Sequence, residues 1–368
     1  MSKPATMKIS ETQLAMLMYI TIMSTVTLFV PAVTAKEAHQ DAWLTGAVPM
    51  VMGILSLFLV TRLAQLYPGQ TIIQYCEGIF GKIIGKLLAF LYVAFFLVTN
   101  IIIIRELAEL LAIMFLPGTP IIVLCSVFIL SSVYVVIKGP EVMCRMAQFL
   151  LPLFVGIHLI LIPMTMPDWK IERVLPILEG GFRPILRGSI VPSAWFGEFL
   201  LVAMFMPNVN KPQQMFRKGI FAILLIGASL SMAIFTSLVV FGPELSTILT
   251  FPLMSLIKYI KIGTIFQRLE TYTLVFWIGI MFMKINVFYY VTNEGLAQSL
   301  NRNNSKWILW ALAVVQILGA TYLFRNTLDL SRFLTDVWIK LAFIFEFALL
   351  LILWFTALVR NKLTRKSL

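Results

Sequence analysis

Long apolar runs separated by short charged or turn-forming segments occupy almost the whole chain. A bilayer core about 30 Å thick needs about 20 residues of α-helix, and about ten runs of that length can be marked. We number them spans 1 to 10, and they are Thr12 to Val33, Ala42 to Thr61, Leu87 to Leu116, Pro120 to Ile137, Met146 to Pro163, Ser189 to Pro207, Gly219 to Phe241, Glu270 to Thr292, Trp307 to Phe324 and Val337 to Val359. The pattern predicts an all-α polytopic membrane protein with about ten transmembrane helices, in a single transmembrane domain over residues 1–368.

Composition and charge support this class. The chain is 60% hydrophobic and 12% charged, whereas soluble proteins average about 25% charged residues. The formal net charge is +12, but Lys and Arg form short clusters between apolar runs, a pattern that orients helices in a lipid bilayer rather than one that binds nucleic acid. The side with both termini receives more of these residues, so we expect both termini, including the tail 360–368, in the cytoplasm.

Few residues are suited to metal binding or catalysis. The chain has three scattered cysteines and two histidines, His39 and His158, and no phosphate-binding loop, HExxH motif or Ser-His-Asp set. We therefore expect no metal, no cofactor and no enzyme activity. His158, inside span 5, is either a hydrogen-bonded core histidine, which we favour, or a proton switch.

Span 6 is the most interrupted of the apolar runs. It contains Pro192, Gly197 and Glu198 and ends at Pro207. A carboxylate in lipid costs about 2.5 to 3.5 kcal/mol, so Glu198 should face a protein interior or a wet cavity. Gly197 weakens the helix and leaves its backbone open to close approach. We predict a broken membrane helix beside a small-molecule site.

Span 1 is the expected counterpart of span 6. It carries Ser24, Thr25 and Thr27 before Pro31, although each hydroxyl taken alone is as well explained by a bond to its own helix. Spans 1 and 6 are five segments apart and run in opposite directions, and such pairs of interrupted helices are typical of transporters built from inverted repeats. The ends of a broken helix can hold a carboxylate and an ammonium group, so an amino acid is the ligand class that suits this arrangement best.

The first repeat would extend over about 12–163 and the second over about 189–359. Two connections also have structure predicted from their pattern. Tyr67 to Lys86 has apolar residues at helical spacing and predicts a short amphipathic helix on the cytoplasmic face. Pro243 to Gln267 is apolar enough to lie on the membrane or cap an external entrance, and a partly buried loop is the equal alternative.

Spans 3 and 8 carry further polar residues. In span 3, Arg105, Glu106 and Glu109 lie within an arc of about 100°, and they form either an ion-pair cluster that fastens helices or a gating or proton-relay site. In span 8, Lys284 and Asn286 raise a similar choice. The Lys284 ammonium either snorkels toward the helix end or stays fixed inside, where sodium-coupled transporters hold a cation, with Glu346 of span 10 as a possible distant counter-charge.

Several stretches together resemble a known family. They are KISETQLAMLMYI, AKEAHQDAWL, YPGQTIIQYCEGIFGKIIGK, VLPILEGGFRPILRGS, PSAWFGE and RLETYTLVFWIGIMFMKINVFYY. The chain is similar over almost its whole length to the B subunit of bacterial spore germinant receptors, in the amino acid/polyamine/organocation transporter superfamily. In one respect it departs from that family, because relatives usually have glycine at the break in span 1 and this span contains none.

The resemblance implies a leucine-transporter-type fold of two five-helix inverted repeats, with spans 1 and 6 broken at Ser24-Thr25-Val26 and Phe196-Gly197-Glu198. It also implies a role in the spore inner membrane, where such subunits bind small germinants, often amino acids, together with A and C subunits. The germinant would bind between spans 1, 3, 6 and 8. The residues assigned to ligand binding are Ser24, Thr25, Val26, Thr27, Asn100, Trp195, Phe196, Gly197 and Glu198, and those assigned to an ion site or gate are Arg105, Glu106, Glu109, Lys284 and Asn286.

Two other functions fit the same sequence. One is a working amino acid transporter coupled to protons through Glu198 or the span 3 carboxylates. The other is a membrane scaffold or ion conduit in which the pocket is vestigial.

Overall fold

A computed structural model describes residues 8–259, 269–302 and 306–366 of the chain. The structure is 88% helical. Within the described ranges, β-type pairing is limited to one isolated parallel bridge between Ile9 and Val209. The all-α class predicted from the apolar runs is confirmed.

The first half of the chain forms five long helices. Their bounds are α1 (Glu11–Ala38), α2 (Ala47–Leu66), α3 (Ile72–Met114), α4 (Ile121–Lys138) and α5 (Pro140–Thr165). A capping box starts α1, because Ser10 Oγ accepts from the Gln13 amide and Gln13 Oε1 accepts from the Ser10 amide.

The second half is more divided. Its helices are α6 (Phe182–Gly188), α7 (Ile190–Gly197), α8 (Val202–Phe205), α9 (Met215–Phe241), α10 (Pro243–Ile248), α11 (Pro252–Tyr259), α12 (Leu269–Ser299), α13 (Lys306–Tyr322), α14 (Thr327–Phe333), α15 (Ile339–Phe343) and α16 (Leu349–Lys366). Short 3₁₀ and π turns join several of them.

Eight helical stretches within the described residues are long and apolar enough to cross a membrane. The first, Glu11–Leu66, contains both α1 and α2, and Lys306–Tyr322 is a shorter apolar helix. Each of the predicted spans therefore has a helical counterpart.

The predicted amphipathic helix after span 2 is present as the first part of α3. The backbone leaves helical geometry at Gly81, where φ is 79°, a conformation that glycine adopts without strain. The chain turns tightly there, since a Cβ at Gly85 would lie 2.3 Å from the Cys76 carbonyl oxygen. Residues 72–80 thus form a separate short helix before the membrane span.

Span 6 is interrupted where the sequence predicted, by a change from α-helical to 3₁₀ turns that keeps helical φ and ψ, and span 1 is not interrupted. A 3₁₀ turn, Glu198–Leu201, separates α7 from α8. By contrast α1 is one continuous helix, so the expected interruption at Ser24-Thr25-Val26 is wrong. The Ser24 hydroxyl donates to the Thr21 carbonyl at 2.8 Å and the Thr27 hydroxyl to the Met23 carbonyl at 2.7 Å. For Ser24 and Thr27 the alternative interpretation, a hydroxyl bonded within its own helix, is confirmed, whereas the Thr25 hydroxyl contacts side chains of other spans.

The long helices pack in two groups. In one, α3 packs along α12, with α4 and α13 beside them. In the other, α1 and α2 pack on α9, and α2 packs on α7. The site described below lies where α1 and span 6 of the second group meet α12 of the first.

Two further segments bear on the site and its surroundings. The helical stretch Thr327–Asn361, which includes span 10, contains two π-helical turns, Leu334–Trp338 and Ile344–Ala348. The predicted segment Pro243 to Gln267 forms α10 and α11 up to Tyr259, while residues 260–267 lie outside the described residues.

Candidate functional site

Lys284, near the middle of α12, is the centre of a buried polar network. Its side chain is 1% exposed. Its ammonium donates to Glu198 Oε1 and to Thr25 Oγ1, both at 2.7 Å, and lies 5.8 Å from the centre of the Phe288 ring. The ammonium therefore stays inside the protein, as one of the two interpretations predicted, and joins α12 to span 1 and span 6.

Indole groups complete the surroundings of span 1. Trp195 Nε1 donates to Thr25 Oγ1 at 2.8 Å, so this hydroxyl oxygen accepts from both Trp195 and Lys284. Trp277 Nε1 donates to the Ser24 carbonyl at 2.9 Å. On the other side, the ring of Trp195 packs on that of Trp338, with centroids 4.8 Å apart. These contacts fix the middle of α1 from both neighbouring helices.

The break in span 6 is shaped by a close approach from span 10. A Cβ built on Gly197 would lie 2.1 Å from Glu346 Oε2 and 2.8 Å from Phe347 Cζ. The Gly197 carbonyl accepts from Ser56 Oγ at 3.1 Å. Because the π turn Ile344–Ala348 presents the Glu346 carboxyl to this point, glycine is the residue that fits there.

Three buried carboxyl groups lie near the Lys284 ammonium, and among the described residues Glu198 is the one shown in contact with it. Glu106, Glu198 and Glu346 are each 2% exposed or less, and both Glu106 and Glu346 interact electrostatically with Lys284 and Glu198. One oxygen of each carboxyl, namely Glu106 Oε1, Glu198 Oε2 and Glu346 Oε2, has no hydrogen-bond partner among the described residues.

An uncompensated buried charge costs several kcal/mol, so three ionised carboxylates beside one ammonium would be unstable. Among the described residues no group of three or more His, Cys, Asp and Glu is placed to hold a metal ion. The unpartnered carboxyl oxygens can bind protons or accept hydrogen bonds from a ligand ammonium group.

The other charged residues of span 3 form a separate, saturated cluster. Arg105 Nε donates to Glu109 Oε1 at 2.8 Å, and Arg105 Nη1 donates to the Ala320 and Thr321 carbonyls at 3.0 Å. Thr327 Oγ1 donates to the second Glu109 oxygen at 2.7 Å. These contacts support the helix-fastening interpretation for Arg105 and Glu109, while Glu106 belongs with Lys284.

The remaining residues assigned from the sequence have other surroundings. Asn100 donates to Gln316 Oε1 at 2.5 Å. Neither amide atom of the fully buried Asn286 has a partner in the described part of the chain. Phe196 is buried and touches the Cβ position of Gly53. Val26 is buried, and Thr27 lines a cavity on another face of α1.

Glu346 was named from the sequence as a distant counter-charge for Lys284, but its contact with the break in span 6 was not predicted. A glutamate inside an apolar run is visible in the sequence. The approach of its carboxyl to Gly197 is not, because span 10 is apolar on most faces and the register of the π turn decides which way the carboxyl points.

The sequence of this chain is similar to those of known proteins over most of its length. The model of a family described as "Spore germination protein" matches residues 8–329. Spore germination protein KB of Bacillus subtilis (strain 168) is 25% identical over 368 residues, covering 98% of this chain and 97% of the relative.

Two solved transporter structures share the fold. Mhp1, a nucleobase-cation-symport-1 family transporter in a closed conformation with bromovinylhydantoin bound, superposes with a TM-score of 0.63 at 14% identity, covering 94% of this chain and 80% of Mhp1. MhsT in complex with L-phenylalanine superposes with a TM-score of 0.62 at 13% identity, covering 90% of this chain and 87% of MhsT. The predicted leucine-transporter-type fold is confirmed. Since the family model covers most of the chain, this multi-pass membrane protein belongs to the spore germination protein family.

Proposed function

We propose that this protein is the ligand-binding membrane subunit of a spore germinant receptor, and that it binds an amino acid where spans 1, 3, 6 and 8 meet. The observation that supports this most is the network in which Lys284 joins Thr25 of the continuous α1 to Glu198 at the break of span 6. Each member of the network belongs to a different span, so a ligand that binds there changes how the spans pack.

The chemistry of the network suits the two charged groups of an amino acid. The Lys284 ammonium and the Trp195 indole are donors for a carboxylate. The unpartnered oxygens of Glu106, Glu198 and Glu346 are acceptors for an ammonium group. The complex of MhsT with L-phenylalanine shows an amino acid bound by a protein of this fold, which supports the same ligand class here.

Signalling then follows from a change in population. A ligand shifts an equilibrium only by the difference in its affinity for the two states. Here an amino acid that competes with Glu198 for Lys284 favours the state in which the two helix groups are less tightly tied. We propose that A and C subunits read this shift at the spore inner membrane, with both termini of this chain in the cytoplasm.

A screen by ligand-induced thermal shift tests the ligand class. The purified full chain is heated with amino acids, sugars or nucleosides, and a ligand present at 100 times its Kd stabilises by about 2.7 kcal/mol. We expect one or a few amino acids to raise the melting temperature. Stabilisation by sugars or nucleosides alone would contradict the proposed class.

Replacing Thr25 by valine tests the position. The variant loses the hydroxyl that holds the Lys284 ammonium and the Trp195 indole in position. We expect the active amino acid to bind about tenfold more weakly, because these two donors to its carboxylate are no longer held in place, and a hydrogen bond to a charged group contributes about 1.5 to 3 kcal/mol. Thr292→Val is the matched control, since the buried Thr292 hydroxyl donates to the Phe288 carbonyl in its own helix. Equal affinity in the two variants would place the ligand elsewhere.

Proton-coupled amino acid transport is the second candidate, and the three partly unpartnered carboxyls favour it. Counterflow of labelled amino acid in liposomes separates the two functions. Saturable uptake by the isolated chain, dependent on a proton gradient, would establish transport, whereas ligand binding without uptake supports a sensor.

A further inference from the structure

A cavity of about 220 Å³ lies on the opposite face of α1 from the Lys284 network, between α1, α5, α9 and α11. Tyr19, Met23 and Thr27 line it from α1, and their spacing of four places them on one helix face. Thr25, two residues after Met23, points about 200° away from that face. The cavity is therefore separate from the proposed amino acid site.

The cavity wall is apolar. Among the described residues its lining has no Asp, Glu, Lys or Arg, and most of it comes from side chains such as Phe154, Leu161, Met232, Ala233, Leu253 and Leu256. An engineered apolar cavity of about 150 Å³ stays dry and binds benzene or xenon. A zwitterionic amino acid does not fit such a wall, because nothing there compensates its charges.

Most polar groups of the lining already have partners. The Tyr19 and Ser229 hydroxyls are hydrogen-bonded to each other at 2.9 Å. The Thr27 and Thr236 hydroxyls donate to carbonyls of their own helices at 2.7 and 2.8 Å. A molecule that enters the cavity therefore does not have to supply hydrogen bonds to these hydroxyls.

His158 is different. Its Nδ1 lies 2.8 Å from the Phe154 carbonyl oxygen, and because a carbonyl only accepts, Nδ1 carries the proton. In the neutral ring Nε2 is then an acceptor. Nε2 is buried and has no partner among the described residues, and the ring is fixed by Phe154 and Trp277, with centroids 4.3 and 6.2 Å away. His158 thus adds one residue with an unsatisfied, buried acceptor to the otherwise largely apolar lining that the structure describes.

We infer that this cavity binds a small, uncharged, largely hydrocarbon molecule whose single hydroxyl or N–H group donates to His158 Nε2. Leu159, at the edge of the cavity, is 67% exposed, so the molecule enters from the lipid side. A molecule in this cavity contacts α1, the helix that also carries Thr25. Binding in the cavity does not require that the proposed amino acid site is correct.

Fluorine NMR with the full chain in lipid nanodiscs tests the inference. The probes are para-fluorophenol, which donates a hydrogen bond, and para-fluorotoluene, which has a methyl group of similar size in its place; empty nanodiscs measure partition into lipid. We expect saturable binding of both. In His158→Phe, which keeps an aromatic ring, we expect fluorophenol to bind about tenfold more weakly and fluorotoluene to change less than about twofold.

Filling the cavity provides the second test. Ala233 lines it and is 6% exposed, and we expect Ala233→Phe, or the milder Ala233→Leu, to abolish or greatly weaken binding of both probes. The inference is overturned if the probe signal does not exceed that of empty nanodiscs. That result is expected if lipid chains fill the cavity. It is also overturned if fluorophenol binds equally to wild type and His158→Phe, or if both filled variants that keep the wild-type melting temperature bind as wild type does.

Discussion

Replacing Lys284 by methionine is expected to destabilise the protein by about 3 to 5 kcal/mol, because removing one member of a buried ion pair leaves the other charge uncompensated. Lys284 is 1% exposed and is the donor to both Glu198 and Thr25. Methionine keeps most of the side-chain volume, so loss of packing contributes little. The expected result is a large fall in melting temperature in detergent or nanodiscs.

A double replacement separates the charge effect from general damage. When a buried ion pair is replaced as a whole by apolar residues the cost is often small, so Lys284→Met combined with Glu198→Leu should recover much of the stability lost in the single variant. Lys340→Met is the matched control, because Lys340 is exposed on span 10 and its loss should have little effect. A double variant no more stable than Lys284→Met would show that the two groups are not energetically paired.

The fold was predictable because one signal dominates it. Apolar runs of bilayer length place the spans, and the costly carboxylate of Glu198 beside Gly197 marks the break in span 6. Both features are local, and burial of Glu198 at 1% exposure confirms that it faces the protein interior. Predicting the spans and the break in span 6 therefore required no knowledge of contacts between distant spans.

The site was less predictable because its contacts join distant spans. Helices that are apolar on most faces do not show which face meets which neighbour, so the pairing of Lys284 with Glu198 and the approach of Glu346 to Gly197 were not readable. Span 1 shows the opposite difficulty. Its hydroxyl-bearing residues predicted an interrupted helix. In the structure the Ser24 and Thr27 hydroxyls donate to carbonyls one turn back, and the helix stays continuous.

Introducing a methyl group at Gly197 is the second large effect that we expect. A Cβ there would lie 2.1 Å from Glu346 Oε2, 2.8 Å from Phe347 Cζ and 2.9 Å from Glu346 Cβ, so Gly197→Ala forces span 6 and span 10 apart. Overpacking of this kind costs about 1 to 3 kcal/mol. We expect a lower melting temperature and weaker binding of the amino acid, because the displaced segment carries Glu198.

The control is a glycine in a comparable helix with open space around it. A Cβ at Gly156 of α5 meets nothing within 4 Å, and alanine in a helix interior is more favourable than glycine by about 0.5 to 1 kcal/mol, so Gly156→Ala should be neutral or slightly stabilising. Adding Glu346→Ala to Gly197→Ala removes the closest contact and should restore part of the stability. If both glycine variants were equally stable, Gly197 would be explained by helix breaking alone, and the contact with Glu346 would have no role in holding the two spans together.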